Sequence, residues 1–393
     1  AADRQTHPDR RAGAALPVPL MRLSRFDLTI LGAAAVLIAA LAASLALLRI
    51  PDQPLRIAYL APADSGPQNI WAMIPGDPAS ATQLTFTEGG IFDYAPSHDG
   101  RKIAYAERDF QTNRVDLKLL DLYTGSVTPL AECGAANADC TTPAWRADGS
   151  MIAYMRRSYD DLLGGGVPKI WIIDGVNSGT PRDYPLFNDN QTTGSQPVWS
   201  ADGRRLAFYE DSGRGVLVFD FNPPDESQRI KFIPADNGMT GALSPSGELL
   251  ITSTLAMAGE QSIRMQLIIA DLLGNNSRDL FPDGESNDGV AASWHPDGQQ
   301  VAILRQYTDQ TRATRGQQVY LFDVASESLA PLIVDDAFNN GSLSFSPDGE
   351  YLLVQRFQFG AFQPGIWVYA LESGQLSEAV PNAFLPAWIP KPE

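Results

Sequence analysis

Residues 343–354 read LSFSPDGEYLLV, and residues 292–303 read ASWHPDGQQVAI. In each, an aromatic residue leads into a tight Asp-Gly turn, and a short apolar strand follows. Gly accepts the positive φ that such a turn demands, so each stretch is a hairpin signal. Four more copies occur: YAPSHDGRKIAY from Tyr94, PAWRADGSMIAY from Pro143, PVWSADGRRLAF from Pro197 and GALSPSGELLIT from Gly241. The turn glycines are Gly100, Gly149, Gly203, Gly247, Gly298 and Gly349, spaced by 49, 54, 44, 51 and 51 residues. Each turn strand is followed by a second apolar run that closes on Asp121, Asp174, Asp220, Asp271 or Asp323, with Ala370 as the variant. A weaker fourth strand comes next. Four strands per period of about 50 residues is the pattern of a propeller blade.

The two ends supply a further blade. LRIAYLAP from Leu55, NIWAMIP from Asn69 and TQLTF from Thr82 match strands two to four, with no first strand before them. LPAWIP, from Leu385, matches a first strand with no second after it. Pairing the ends gives an all-β, seven-bladed β-propeller over 55–390. Closure removes the exposed strand edges that an open array would leave.

These turns resemble those of the TolB-like family, whose repeats carry a W-S-P-D-G turn, and the resemblance covers 55–390. Ser346-Pro347-Asp348-Gly349 and His295-Pro296-Asp297-Gly298 follow it well. Ser246 replaces the Asp in one copy, and Pro96 takes the aromatic position in another. The resemblance implies a propeller that offers a face or channel mouth to partner proteins. Fold alone does not fix function.

Upstream, residues 28–48 contain no charge and only Thr29 and Ser44 as polar side chains. Twenty or so apolar residues span a bilayer as a helix. Arg22 and Arg25 precede the run, which places the N-terminus in the cytoplasm and the propeller outside. The expected layout is a disordered cytoplasmic tail over 1–27, a transmembrane signal-anchor over 28–48, a linker over 49–54, and then the propeller. The competing reading is a cleaved signal peptide, with Ala40-Leu41-Ala42 as the cleavage site. Translation from Met21 is a further alternative.

Net charge is −17; residues 1–50 hold six Arg and three Asp, leaving −20 on the remainder. An acidic body argues against nucleic acid, which needs basic patches. Cys133 and Cys140 are too few for a thiolate zinc site. With the domain exported they read as a loop-closing disulfide, and two free thiols are the alternative.

Catalytic signals are missing from the repeats. His98 and His295 fall inside turns and His7 in the tail; there is no Gly-x-Ser-x-Gly elbow, P-loop or His-Glu-x-x-His. Prolyl-oligopeptidase-type enzymes join a similar propeller to a hydrolase, and no hydrolase-sized segment follows this one. Asp99, Asp148, Asp202, Asp297 and Asp348 each sit alone in a turn, too few oxygens for calcium. The leading expectation is therefore a non-enzymatic, membrane-tethered module binding membrane or envelope proteins, without a cofactor or metal. The alternatives are a small-ligand or glycan sensor or lyase using the channel, and a purely structural envelope protein. Aligning the blades brings Gly90, Asp139, Thr193, Asn237, Asp288, Asn339 and Asn382 to one position, ten residues before each turn glycine or its equivalent. The Asx members, Asp139, Asn237, Asp288, Asn339 and Asn382, are the expected channel-mouth binding residues. Strand starting is the structural alternative.

Overall fold

The computed structural model describes residues 54–392 except 161, 163, 190, 259–261, 275, 283–285 and 310. The expected tail, anchor and nearly all of the linker lie outside the described residues. Among those described, no helix is long and apolar enough to cross a membrane.

The described residues form seven antiparallel sheets, and we number these blades from the N-terminal strands. Blade 1 joins Phe384–Ile389 to Arg56–Ala61, Asn69–Ile74 and Asp77–Gln83. Blades 2 to 7 begin with the strands Ile91–Pro96, Ala138–Trp145, Ser195–Trp199, Ala242–Leu243, Ser286–Trp294 and Phe338–Phe345. Blade 3 carries an extra short strand, Gly164–Gly165, paired to its long second strand. The first strand of each blade contacts the first strand of the next, and the circuit closes from blade 7 through blade 1 to blade 2. First strands are therefore innermost. The fourth strands are outermost and mostly exposed, as in Asn276–Asp279.

The closure follows the expected pairing of the chain ends. Arg56 stands opposite Ile389, and Leu60 stands opposite Phe384. One strand differs from its reading: the run expected from Thr82 begins at Asp77 and ends at Gln83. Gly76 (φ +78°) turns the chain immediately after Ile74, so pairing starts earlier. Phe86 is thereby left in the crossover to blade 2, 80% exposed.

The turns show why Asp-Gly recurs. All six turn glycines have φ between +65° and +75°. Asp99, Asp202 and Asp348 each accept a hydroxyl from the Ser two residues earlier and a backbone N–H two residues later. These carboxylates serve the turn, and among the described residues no group of side chains is arranged for a metal. Two glycines are also demanded by close approach. A Cβ on Gly100 would lie 2.1 Å from the Pro390 carbonyl oxygen, and one on Gly349 would lie 2.5 Å from His295 Nε2.

Blades are locked by a repeated bond. The indole of Trp145 donates to the Ala95 carbonyl (2.9 Å), Trp199 to Ala144 (3.1 Å), Trp294 to Ala242 (3.0 Å) and Trp388 to Ser344 (3.0 Å). A buried indole needs a partner for its N–H, and here the partner is always the preceding blade. Where Pro96 takes the aromatic position, the Tyr94 hydroxyl donates to the Leu385 carbonyl instead, at 2.6 Å.

Cys133 and Cys140 form a disulfide with Cα atoms 6.0 Å apart, both nearly inaccessible. It closes the crossover between blades 2 and 3 around the turn Gly134–Ala136. Replacing both with Ala should cost about 2.5 kcal/mol, the loop-closure entropy of a short loop. A urea midpoint unchanged from that of the oxidised protein would count against this.

Candidate functional site

Two faces follow from the topology. The Asp-Gly turns lie on one, which we call the turn face. The connections between second and third strands, and the starts of the first strands, lie on the other, the loop face. The Asx positions sit on the loop face, and the acceptors of Asp139, Asp288 and Asn339 are engaged in joining blades. Asp139 accepts from Val115 N at 3.0 Å, Asp288 from Leu267 N at 3.2 Å and Asn339 from Gln317 N at 2.8 Å. Val115 begins and Gln317 borders the third strand of the preceding blade, and Leu267 lies within it. Asn382 accepts from Ala63 N (3.2 Å) and donates to Asp64 (2.9 Å), tying the closing strand to the first loop. Asn237 turns inward on its own blade, accepting from Met239 N at 3.0 Å and donating to the Ser253 hydroxyl. Thr193 bonds Glu210 Oε1 at 2.6 Å, and Gly90 (φ +84°) bends the backbone while its carbonyl accepts from Arg108 N at 3.0 Å.

Asp288 is the most deeply placed member, at 0% exposure. Burial pushes its carboxyl up, against the pull of Arg305 at 3.5 Å and the Ser286 hydroxyl at 2.8 Å. Arg305 itself stacks on Phe281, 4.2 Å from the ring centre.

A second set of positions, three residues further on, was not singled out from the sequence. Six of the seven innermost strands shift register against their neighbours just there. Thr142, Gln196 and Leu385 adopt φ of +51°, +52° and +49°, unusual for residues with a Cβ. Asp93 holds the same place in blade 2. Bulges re-aim side chains, and here they do so on strands that border the axis. The signal was present in the repeat, because Asp93, Thr142 and Gln196 all lie seven residues before a turn glycine.

Asp93 keeps some open surface as a residue, yet its carboxyl is walled in, and burial pushes it up to about 6 against one bond from Tyr94 N. This folded value exceeds the ordinary unfolded value of about 3.9. The fold therefore favours the protonated form. That stabilisation is complete below about pH 4 and is lost as pH rises through about 6. Asp93→Asn should raise stability by about 3 kcal/mol at pH 7.5 and leave it nearly unchanged at pH 4. Melting curves at the two pH values check this, and an equal shift at both would sink it.

Of the described residues, His98 and His295 belong to the turns. His295 Nδ1 meets Asp297 at 2.8 Å and its Nε2 lies 3.2 Å from the Gly349 carbonyl, bridging two turns. His98 is held below the usual imidazole range by burial, with Asp99 and Asp148 opposing.

No family model matches the chain. Among solved structures, TolB from Acinetobacter baumannii superposes with a TM-score of 0.50 at 18% identity, covering 86% of this chain and 67% of TolB. The fold is a TolB-like seven-bladed β-propeller. A structure from a study of two prolyl endopeptidases superposes on this TolB-like propeller with a TM-score of 0.57 at 13% identity. That match covers 94% of this chain and 56% of that one. Likeness at such identity speaks to the fold alone. In sequence, the propeller is similar to a Bacillus subtilis protein named uncharacterized peptidase YuxL, at 24% identity over 216 residues. The match is 54% of this chain and 29% of that protein, so it spans less than a third of the relative.

The expectation of a non-catalytic scaffold, and with it of no enzyme activity, is overturned by the relative in sequence, which is named a peptidase. The physical reason is that propeller repeats specify turns and packing whatever chemistry accompanies them. Their lack of a catalytic motif describes the repeats and not an enzyme of which a propeller is one part.

Proposed function

We propose that this chain is the propeller part of a peptidase-type enzyme, governing how peptides reach a catalytic centre. We also propose that residues 28–48 tether it to a membrane, with the propeller on the extracytoplasmic side. The observation that carries the first reading is the 216-residue match to a protein named as a peptidase. The arrangement of faces is compatible with it. Leu55 and Pro390 both lie at the turn face, where Arg56 pairs with Ile389. The loop face is the opposite one from Leu55 and Pro390. It carries Phe110, Leu162 and Phe362 at loop tips, 78%, 94% and 96% exposed. Apolar side chains so placed suit contact with peptide or protein.

The test is hydrolysis of a panel of internally quenched fluorogenic peptides by the full natural polypeptide. Turnover is expected, and Leu162→Ser with Phe362→Ser should raise KM more than it lowers kcat. An absence of hydrolysis across the panel would remove the reading. Retention in the pellet after an alkaline carbonate wash, lost on deletion of 28–48, is the expected result for the tether.

A further inference from the structure

One place in the third strands breaks an otherwise uniform rule. Opposite the residue five beyond each turn glycine, or its equivalent in blade 1, stands a large apolar side chain. These are Trp71, Trp171, Leu217, Ile268, Tyr320 and Trp367. The first five lie in or against the apolar cluster that joins their blade to the preceding one. Blade 2 has Lys118 at this position, opposite Tyr105.

The consequence is space. A cleft of ≈ 570 Å³ opens between blades 1 and 2, with Lys118 in its wall. That is the size of a small-ligand site. Its walls run the height of the blade, from Thr87 and Glu107 near the loop face to Gly125 and Val127 near the turn face. Leu84, Leu120 and Leu122 give it apolar surface, and Phe86 stands exposed at the rim.

The polar groups are arranged around Glu107. It takes Lys118 Nζ at 3.0 Å, the Thr87 hydroxyl at 3.0 Å and the Tyr105 hydroxyl. In blades 3 and 7 a cation also sits at this height, but there it covers the large side chain. Arg156 lies over Trp171 at 4.4 Å, and Arg356 over Trp367 at 4.8 Å. Blade 2 thus keeps a cation and lacks the ring that belongs beneath it.

We propose that this cleft binds an extended peptide by one aromatic side chain, which fills the space Lys118 leaves and lies against its ammonium group. The peptide backbone follows the cleft along the blade, and Phe86 meets the incoming ring at its edge. Aromatic pairs and cation–ring contacts both favour this geometry. The site is separate from the axis of the propeller, and it stands whether or not the chain serves a peptidase.

The test uses the full chain and two amidated pentapeptides carrying fluorescein on the N-terminal amine, Thr-Val-Trp-Val-Thr and the same peptide with Ala at its centre. Fluorescence anisotropy should give the Trp peptide about tenfold or more tighter binding, from the apolar area its ring buries. Lys118→Trp fills the cleft with the residue of blades 1, 3 and 7 and should abolish the difference. Lys118→Met keeps the space without the charge and should weaken the Trp peptide by about 3- to 30-fold. Equal binding of both peptides, or unchanged binding in Lys118→Trp, overturns the proposal. If Lys118→Trp does not fold, Lys118→Leu, the residue of blade 4, replaces it. Hydrolysis measured on the same samples separates the two readings. Lost binding with intact turnover touches only the cleft's filling, and absent turnover with selective binding touches only the peptidase reading.

Discussion

A chain ending at Asn382 should lose its single cooperative unfolding transition. Strand Phe384–Ile389 is the first strand of blade 1, supplied from the far end of the sequence. Without it, Arg56–Ala61 has a free inner edge, and the clusters on both sides of blade 1 are breached. Ile389 is fully buried in one cluster, and Trp388, 6% exposed, lies in the other. Calorimetry should show a broadened transition at lower temperature, with dye binding to exposed apolar surface. A truncated chain melting as sharply and as high as the intact one would refute the need for closure. A milder version is Trp388→Ala, which removes a buried indole and its bond to Ser344. It should cost about 3–5 kcal/mol.

Asp288→Ala is the second large effect. The carboxylate is fully buried, and it joins three partners: Arg305, the Ser286 hydroxyl and the Leu267 N–H of the preceding blade. Removing one member of a buried ion pair costs about 3–5 kcal/mol. A lowered urea midpoint with an unchanged slope is the expected signature. Asp288→Asn keeps an acceptor for Leu267 N and should cost less. Asn237→Ala, at a half-buried place bonded within its own blade, should cost about 1 kcal/mol. Equal losses in Asp288→Ala and Asn237→Ala would show that joining blades is not what Asp288 contributes.

Much of the fold was legible because its causes are local. The Asp-Gly turn is written in four or five adjacent residues, and its glycine conformation is met at all six copies. The complementary ends, LRIAYLAP and LPAWIP, announced closure through a missing strand at each terminus. The strand over Asp77–Gln83 was misplaced because DPASATQ has no apolar alternation, and only pairing to Asn69–Ile74 makes it a strand. The Asx residues were found by alignment, but the partners of Asp139, Asp288 and Asn339 are backbone groups of another blade. Asp139 meets Val115 24 residues away, and no periodicity reveals that. Lys118 was visible as the odd member among LKLLD, IWIID and VLVFD. Its meaning needed the register, which shows that this side of the strand packs on the preceding blade. Function was least legible, because the residues that make a propeller are the same whether or not it serves an enzyme.

The closing strand also determines how the molecule bears mechanical load. Arg56 and Ile389 are neighbours at the same end of an antiparallel pair, so the two ends of the propeller leave it side by side. Tension applied between them peels that pair like a zipper, breaking its bonds one after another instead of loading them together. A force-extension trace pulled from residues 55 and 390 should therefore yield first at blade 1, at low force. The other six blades, each built from one continuous stretch of chain, should follow only after the ring has opened.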